Sequence, residues 1–93
     1  VIDPVFLHSP QYFCEPLGAL MGCTLLLKVE TQNPIRSFKG RGADFLIAEL
    51  VKNAPNLTSE KIVCASAGNF GQAMAYSCRK YKIPITIFAS TKA

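Results

Sequence analysis

From Thr24 onward the chain changes its hydrophobic period in a regular order, and that order limits the folds open to it. Thr24-Leu25-Leu26-Leu27-Lys28-Val29-Glu30 is a short apolar run of strand character. Ala43, Leu46, Ile47, Leu50, Val51 and Ala54 then recur at i, i+3, i+4, i+7 and i+8 spacing, which is one face of a helix. Ile62-Val63-Cys64-Ala65, within 60–66, returns to strand character. Phe70, Ala73, Met74, Ser77, Cys78 and Tyr81 make a second helical face, and Ile85-Thr86-Ile87-Phe88-Ala89 a third strand. Asn33-Pro34 marks a turn, Ser37 an N-cap, and Pro55 and Pro84 the ends of the two helices. Strand, helix, strand, helix, strand with apolar strands predicts α/β structure. The expectation is a three-layer open parallel sheet (βαβαβ) with right-handed crossovers over 24–93. Residues 1–23 fit this less well. Pro4, Pro10 and Pro16 interrupt them, and Glu15 to Met21 reads as a short helix, so this part is expected to be an arm packed on other structure.

Ninety-three residues allow one domain, and a chain of this length buries only roughly 60–65% of its unfolded surface. Half the residues are apolar and 17% are charged, a folded composition that is rich in apolar residues for so small a free domain. A surface normally covered by more protein is expected. The net charge is +4, but the basic residues are dispersed and not interleaved with aromatics, which argues against nucleic acid as a partner. Cysteines stand at 14, 23, 64 and 78 without a C-x-x-C pair, and the single histidine, His8, has no zinc-ligand spacing. They read as reduced, structural thiols of a cytoplasmic protein, with no metal site. The longest apolar stretch, Leu17 to Leu27, is too short to span a bilayer and is broken by glycines. No membrane role is expected.

Two turns carry the chemistry. Lys39 opens the first helix, where a cation is disfavoured by the positive end of the helix dipole. A lysine in such a place is often kept for its amine or for a nearby anion. Thirty residues on, Ser66-Ala67-Gly68-Asn69-Phe70-Gly71 enters the second helix. In a parallel sheet both turns open at the same carboxyl edge, where α/β sheets bind ligands. Helix N-termini there offer free N–H groups to carboxylate or phosphate. Taken singly, each turn also has a plain reading: a solvated first-turn lysine, glycines that let a helix pack closely, a common βα turn. Arg41 reads as an ion-pair partner, and Tyr76 and Tyr81 as packing residues.

Together the two turns resemble a known family. Ser37-Phe38-Lys39-Gly40-Arg41-Gly42-Ala43 is similar to the S-F-K-x-R-G-A motif of fold-type-II pyridoxal-phosphate enzymes of the threonine/serine dehydratase and serine racemase group. Ser66-Ala67-Gly68-Asn69-Phe70-Gly71-Gln72-Ala73 resembles that group's S-[SA]-G-N-x-[GA]-Q-[AG] loop, and Leu17-Gly18-Ala19 with Leu25 to Glu30 resembles the segment that precedes the lysine. The resemblance implies pyridoxal 5'-phosphate as cofactor, with Lys39 as its Schiff-base lysine. It implies Phe38 and Asn69 beside the cofactor, and Ser66, Ala67, Gly68 and Asn69 on the substrate carboxylate.

Racemases of the group carry serine where Ala67 stands, as the second proton donor. Ala67 has no exchangeable proton, so the resemblance favours dehydration of L-threonine or L-serine to a 2-oxo acid and ammonia. Racemase-like and β-replacement chemistry are the enzymatic alternatives. An anion-binding or interaction module of α/β fold is the other. The family's phosphate loop and pyridine-nitrogen residue are not found in the 93 residues. The chain is therefore expected to be the N-terminal part of a larger enzyme, a homo-oligomer such as a dimer. On its own it is expected to be inactive.

Overall fold

A computed structural model describes residues 1–54, 56 and 61–92. Pro55, read above as the end of the first helix, and Glu60, the first residue of the 60–66 segment, lie outside the described residues. After a 3-10 turn at Pro4–Phe6 come β1 (Gln11–Phe13), α1 (Glu15–Met21), β2 (Leu26–Lys28), α2 (Lys39–Asn53), β3 (Ile62–Ala65), α3 (Asn69–Lys80) and β4 (Ile85–Phe88). Strands and helices alternate and the sheet is open, so the α/β class stands.

The pairing of the first strand differs from the single parallel sheet that alternation predicts. β3 and β4 pair in parallel, Ile62 with Ile85 through Ala65 with Phe88. β2 pairs instead with β1, antiparallel, Gln11 with Lys28 through Phe13 with Leu26. The physical reason is proximity. The chain leaves β1, makes the two turns of α1 and returns at once, so antiparallel pairing closes a short loop at little entropic cost. α1 ends in a Schellman arrangement, with Gly22 at φ 68° and the Cys23 N–H donating to the Gly18 carbonyl at 3.0 Å.

α2 and α3 run in the same direction, and the N-terminal segment shows it. Asp3 touches residue 44 of α2 and residue 80 of α3: its N–H donates to Asp44 Oδ2 at 2.6 Å and its carboxylate pairs with Lys80 Nζ at 3.2 Å. Three residues later Phe6 lies against Gly40 and meets the Tyr76 ring edge-on at 5.4 Å. One step along the segment thus descends both helices together, 44 to 40 and 80 to 76. The two helix N-termini therefore open at the same end.

The core forms where these pieces meet. Phe6, Ile35, Ala43, Ile47, Ala73, Met74, Cys78 and Ile83 are buried. On α2 the buried stripe is Gly40, Ala43, Asp44 and Ile47, so Leu46 and Leu50, placed on that face by periodicity, are instead exposed. Elsewhere the chain is elongated. Its radius of gyration is 16.7 Å, against about 12 Å for a compact domain of this length. Phe13, Leu17, Leu20, Met21 and Leu26 stand in solvent as a result. Among the described residues no helix is long and apolar enough to cross a membrane.

Candidate active site

The loop leading to Lys39 is organised by one side chain. Asn33 Nδ2 donates to the Glu30 carbonyl at 3.2 Å and the Ser37 carbonyl at 2.7 Å, while its Oδ1 accepts from the N–H groups of Ile35 (3.1 Å) and Ser37 (3.4 Å). The Arg36 N–H donates to the Asn33 carbonyl at 3.0 Å, and Arg36 sits at φ 56°, a left-handed conformation that residues with a Cβ rarely adopt. An asparagine that gathers its own following backbone is an Asx turn. The Asn-Pro turn signal marks this loop in the sequence, and the structure adds the role of the Asn33 side chain.

Helix α2 starts at Lys39 with Phe38 as N-cap, one residue later than a Ser37 cap implies. Ser37 still serves the helix end: it is buried, and its Oγ accepts the Lys39 N–H at 3.3 Å. The Lys39 side chain is exposed, and its Nζ lies 5.3 Å from the centre of the Phe38 ring, itself 62% exposed. The next residues fix the helix start. Gly40 is buried against Phe6. Arg41 donates from Nε to the Phe6 carbonyl at 2.8 Å, and from Nη2 to Ser9 Oγ at 2.8 Å and to the Glu30 carboxylate. The reading of Arg41 as an ion-pair partner therefore holds. Gly42 has open space around it, so only Gly40 of the two glycines serves close packing, and it does so against Phe6 rather than the sheet.

The second turn is built around Ser66. Its Oγ accepts the N–H of Gly68 at 3.2 Å and of Gly71 at 3.0 Å, folding the turn onto the start of α3. Gly71 is buried; a Cβ there would come 3.2 Å from Ile87 and from Ser66 Cβ, so α3 sits close on β4. Gly68 differs: a Cβ built on it meets nothing within 4 Å, and Ala67, Gly68 and Asn69 are all exposed. The fold has no steric need of glycine at 68, whereas a ligand seated there would.

The two turns do not open at the edge of one shared sheet, as the alternation of elements predicts. β2 does not share a sheet with β3, yet the parallel helices still open both turns at one end. Phe38 and Lys39 are neighbours, and Ser66, Gly68 and Gly71 are tied to one another. A separate hollow, lined by Phe13, Cys14, Gly18, Cys23 and Leu25, contains none of these residues.

Polar side chains also join α2 to α3. Asp44 is fully buried and accepts from the Asp3 N–H, from Ser77 Oγ at 3.4 Å and from Lys80 Nζ at 3.2 Å. Burial pulls the Lys80 ammonium toward a lower pKa, but its bonds to Asp3 and Asp44 outweigh this and hold it above its ordinary value. Asp3 is held low by the Val5 N–H first and by Lys80 second. Burial pushes the Cys78 thiol up, with Cys64 adding to it. A polar residue breaking each helical face was the available signal: Asp44 beside Ala43, and Ser77 beside Cys78.

An exposed amine thus stands at one helix start, and a glycine-bearing turn with an exposed amide at the other, in an open α/β unit. Residues 3–93 match the family model described as pyridoxal-phosphate dependent enzyme. The chain belongs to that family. It is 40% identical over 90 residues to the biosynthetic L-threonine dehydratase IlvA of Halalkalibacterium halodurans, covering 97% of this chain and 21% of that protein. It is 39% identical over 84 residues to the L-serine dehydratase/L-threonine deaminase of Bos taurus, covering 90% of this chain and 24% of that protein. The IlvA of Bacillus subtilis is 36% identical over 87 residues, 94% of this chain and 20% of that protein. The chain thus spans about a fifth to a quarter of the length of the curated relatives it matches.

Proposed function

We propose that the chain contributes the lysine-bearing and carboxylate-binding turns of a pyridoxal-phosphate enzyme that eliminates water from L-threonine or L-serine. The observation that carries this is the pairing at one end of the molecule: the exposed Lys39 amine beside Phe38, and the Ser66-held turn with open space at Gly68. These residues fit the cofactor. Lys39 offers a primary amine, Phe38 an exposed ring face, Asn69 an amide, and Gly68 the clearance a bound molecule needs. When bound, pyridoxal phosphate supplies an aldehyde that condenses with amines and an electron-poor ring that takes up the electron pair of a broken Cα–H bond.

The chain's own residues do the rest. N–H groups at the start of α3, with Asn69, bind the substrate carboxylate, using the positive end of the helix. Fixing the carboxylate orients the Cα–H bond, an effect that contributes through lost rotational freedom. Lys39 Nζ, as a free amine, takes the Cα proton. The hydroxyl on Cβ then leaves with that proton as water; the unsaturated amine tautomerises to an imine, whose hydrolysis takes up one water and gives a 2-oxo acid and ammonia. Ala67 supports elimination over racemisation, since a methyl group can return no proton to the opposite face. The Bos taurus relative's name covers both L-serine and L-threonine, and the same pair is proposed here. All four cysteines are free thiols, which suits a reducing, cytoplasmic setting. A homodimeric enzyme completes the proposal.

The test uses the native protein. Pyridoxal phosphate is added, the imine is reduced with borohydride, and the label is mapped after digestion. Label on Lys39 that vanishes in Lys39→Ala supports the proposal; even labelling of all lysines overturns it. With L-threonine and L-serine the expected product is 2-oxo acid, and racemisation without oxo acid would rule out the dehydratase reading.

A further inference from the structure

Arg41 lies two residues past Lys39, in the first turn of α2, and its guanidinium ties that turn to two other parts of the chain. Nε donates to the Phe6 carbonyl at 2.8 Å; Nη2 donates to Ser9 Oγ at 2.8 Å and to Glu30. Ser9 Oγ in turn donates to Glu30 Oε1 at 2.8 Å, so the three side chains close a ring of contacts. Glu30 follows β2 and also begins the Asn33-organised loop through its carbonyl. The Arg41 and Glu30 side chains are 31% and 17% exposed, so the pair is shielded enough to hold a fixed geometry. Besides this clasp, the Ser37 Oγ bond to the Lys39 N–H and the Gly40–Phe6 contact hold the start of α2.

We infer that Arg41, locked by Glu30 and Ser9, is a positioning residue for the Lys39 amine: it sets where the helix start points Nζ, and touches no reacting atom itself. The planar fork of arginine is what permits one side chain to serve a carbonyl, a hydroxyl and a carboxylate together. The inference rests on the reading of Lys39 given above. A helix start free to shift by about 1 Å would misalign a reacting amine, at a cost on the order of a hundredfold in rate.

The experiment is a double-mutant cycle on the native protein, with pyridoxal phosphate and borohydride as the probe and label on Lys39, relative to the other lysines, as the readout. Wild type, Arg41→Gln, Glu30→Gln and the double variant are compared, with circular dichroism to verify the fold. The rate of Lys39 labelling is expected to fall about tenfold or more in Arg41→Gln, and less in Glu30→Gln. The double variant is expected to be no worse than Arg41→Gln, because both changes break one clasp. Arg41→Lys, which keeps a charge for Glu30, is expected to recover part of the loss. Undiminished Lys39 labelling in folded Arg41→Gln, or strictly additive losses, overturns the inference. If Arg41→Gln does not fold, Glu30→Gln decides: unchanged Lys39 selectivity there also overturns it. Wild type that does not label Lys39 selectively overturns the proposed function instead, and this inference falls with it.

Discussion

The backbone of Gly40 lies directly on the ring of Phe6: a Cβ at Gly40 would fall 2.3 Å from Phe6 Cε1 and 2.4 Å from Cδ1. The residue after the candidate lysine is thus held by a side chain 34 positions earlier. Gly40→Ala forces the ring or the helix aside, and overpacking of this kind costs about 1–3 kcal/mol. Urea unfolding of the native protein checks it. Phe6→Leu combined with Gly40→Ala is expected to cost less than the sum of the two, because the smaller side chain relieves the clash.

Asp44 and Lys80 are unequal partners, and their variants should differ accordingly. Asp44 is completely buried, while the Lys80 side chain is about one-third exposed. Lys80→Met strands a buried carboxylate without its cation, at about 3 kcal/mol. Asp44→Asn keeps an acceptor for the Asp3 N–H and leaves Lys80 free to reach solvent and Asp3, so about 1 kcal/mol is expected. Thermal melts of the two variants at neutral pH give the order.

Lys80 of this cluster and the nearby buried Cys78 are expected to make stability fall at alkaline pH. Lys80 has a raised folded pKa, so its contribution is complete below its ordinary value of 10.5 and is lost as pH rises through the folded value. Cys78 acts in the same direction: its thiol is held neutral by burial, and stability falls once the unfolded thiol ionises above 9.0. Asp3, with a lowered folded pKa, contributes above 3.8 and ceases to do so as pH falls through its folded value. The midpoint of thermal unfolding is expected to fall above pH 9, and Lys80→Met is expected to flatten the steepest part of that fall.

Lys82 occupies a glycine position. α3 ends in a Schellman arrangement, with the Lys82 N–H on the Arg79 carbonyl at 3.1 Å, the Ile83 N–H on the Cys78 carbonyl at 2.9 Å, and Lys82 at φ 56°. α1 solves the same geometry with Gly22. A left-handed conformation costs an ordinary residue about 1 kcal/mol, so Lys82→Gly is expected to raise stability by up to that amount. A melting temperature equal to or below wild type would refute this.

Gly68 separates fold from function. A Cβ there has open space, so Gly68→Ala is expected to change stability by less than about 0.5 kcal/mol. If the turn seats the substrate carboxylate, the same change raises KM for L-threonine several-fold. Unaltered kinetics in a folded Gly68→Ala protein would remove this turn from the proposed site.

Periodicity and turn residues alone located α2, α3, β3 and β4, because each depends on neighbours a few positions away. Lys39 and the Ser66 to Gly71 turn were legible for the same reason: both are local motifs at helix starts. What the local pattern could not decide was partnership. β2 has the apolar look of a parallel strand, yet it pairs with β1, since a short return through α1 closes at lower entropic cost than a long crossover. Leu46 and Leu50 match a helical face, but the face that is buried runs through Gly40 and Asp44, because Asp3 and Phe6 press on it. Gly40 and Gly68 look alike in sequence; only the packed structure separates the glycine that a ring requires from the glycine that leaves room. Local sequence pattern is enough to set the elements and to place an amine and an amide-bearing turn at their starts. The tertiary structure decided which helix faces meet, that both starts open at one end, and that Arg41 is bound to Glu30, since these depend on contacts between residues far apart in the chain.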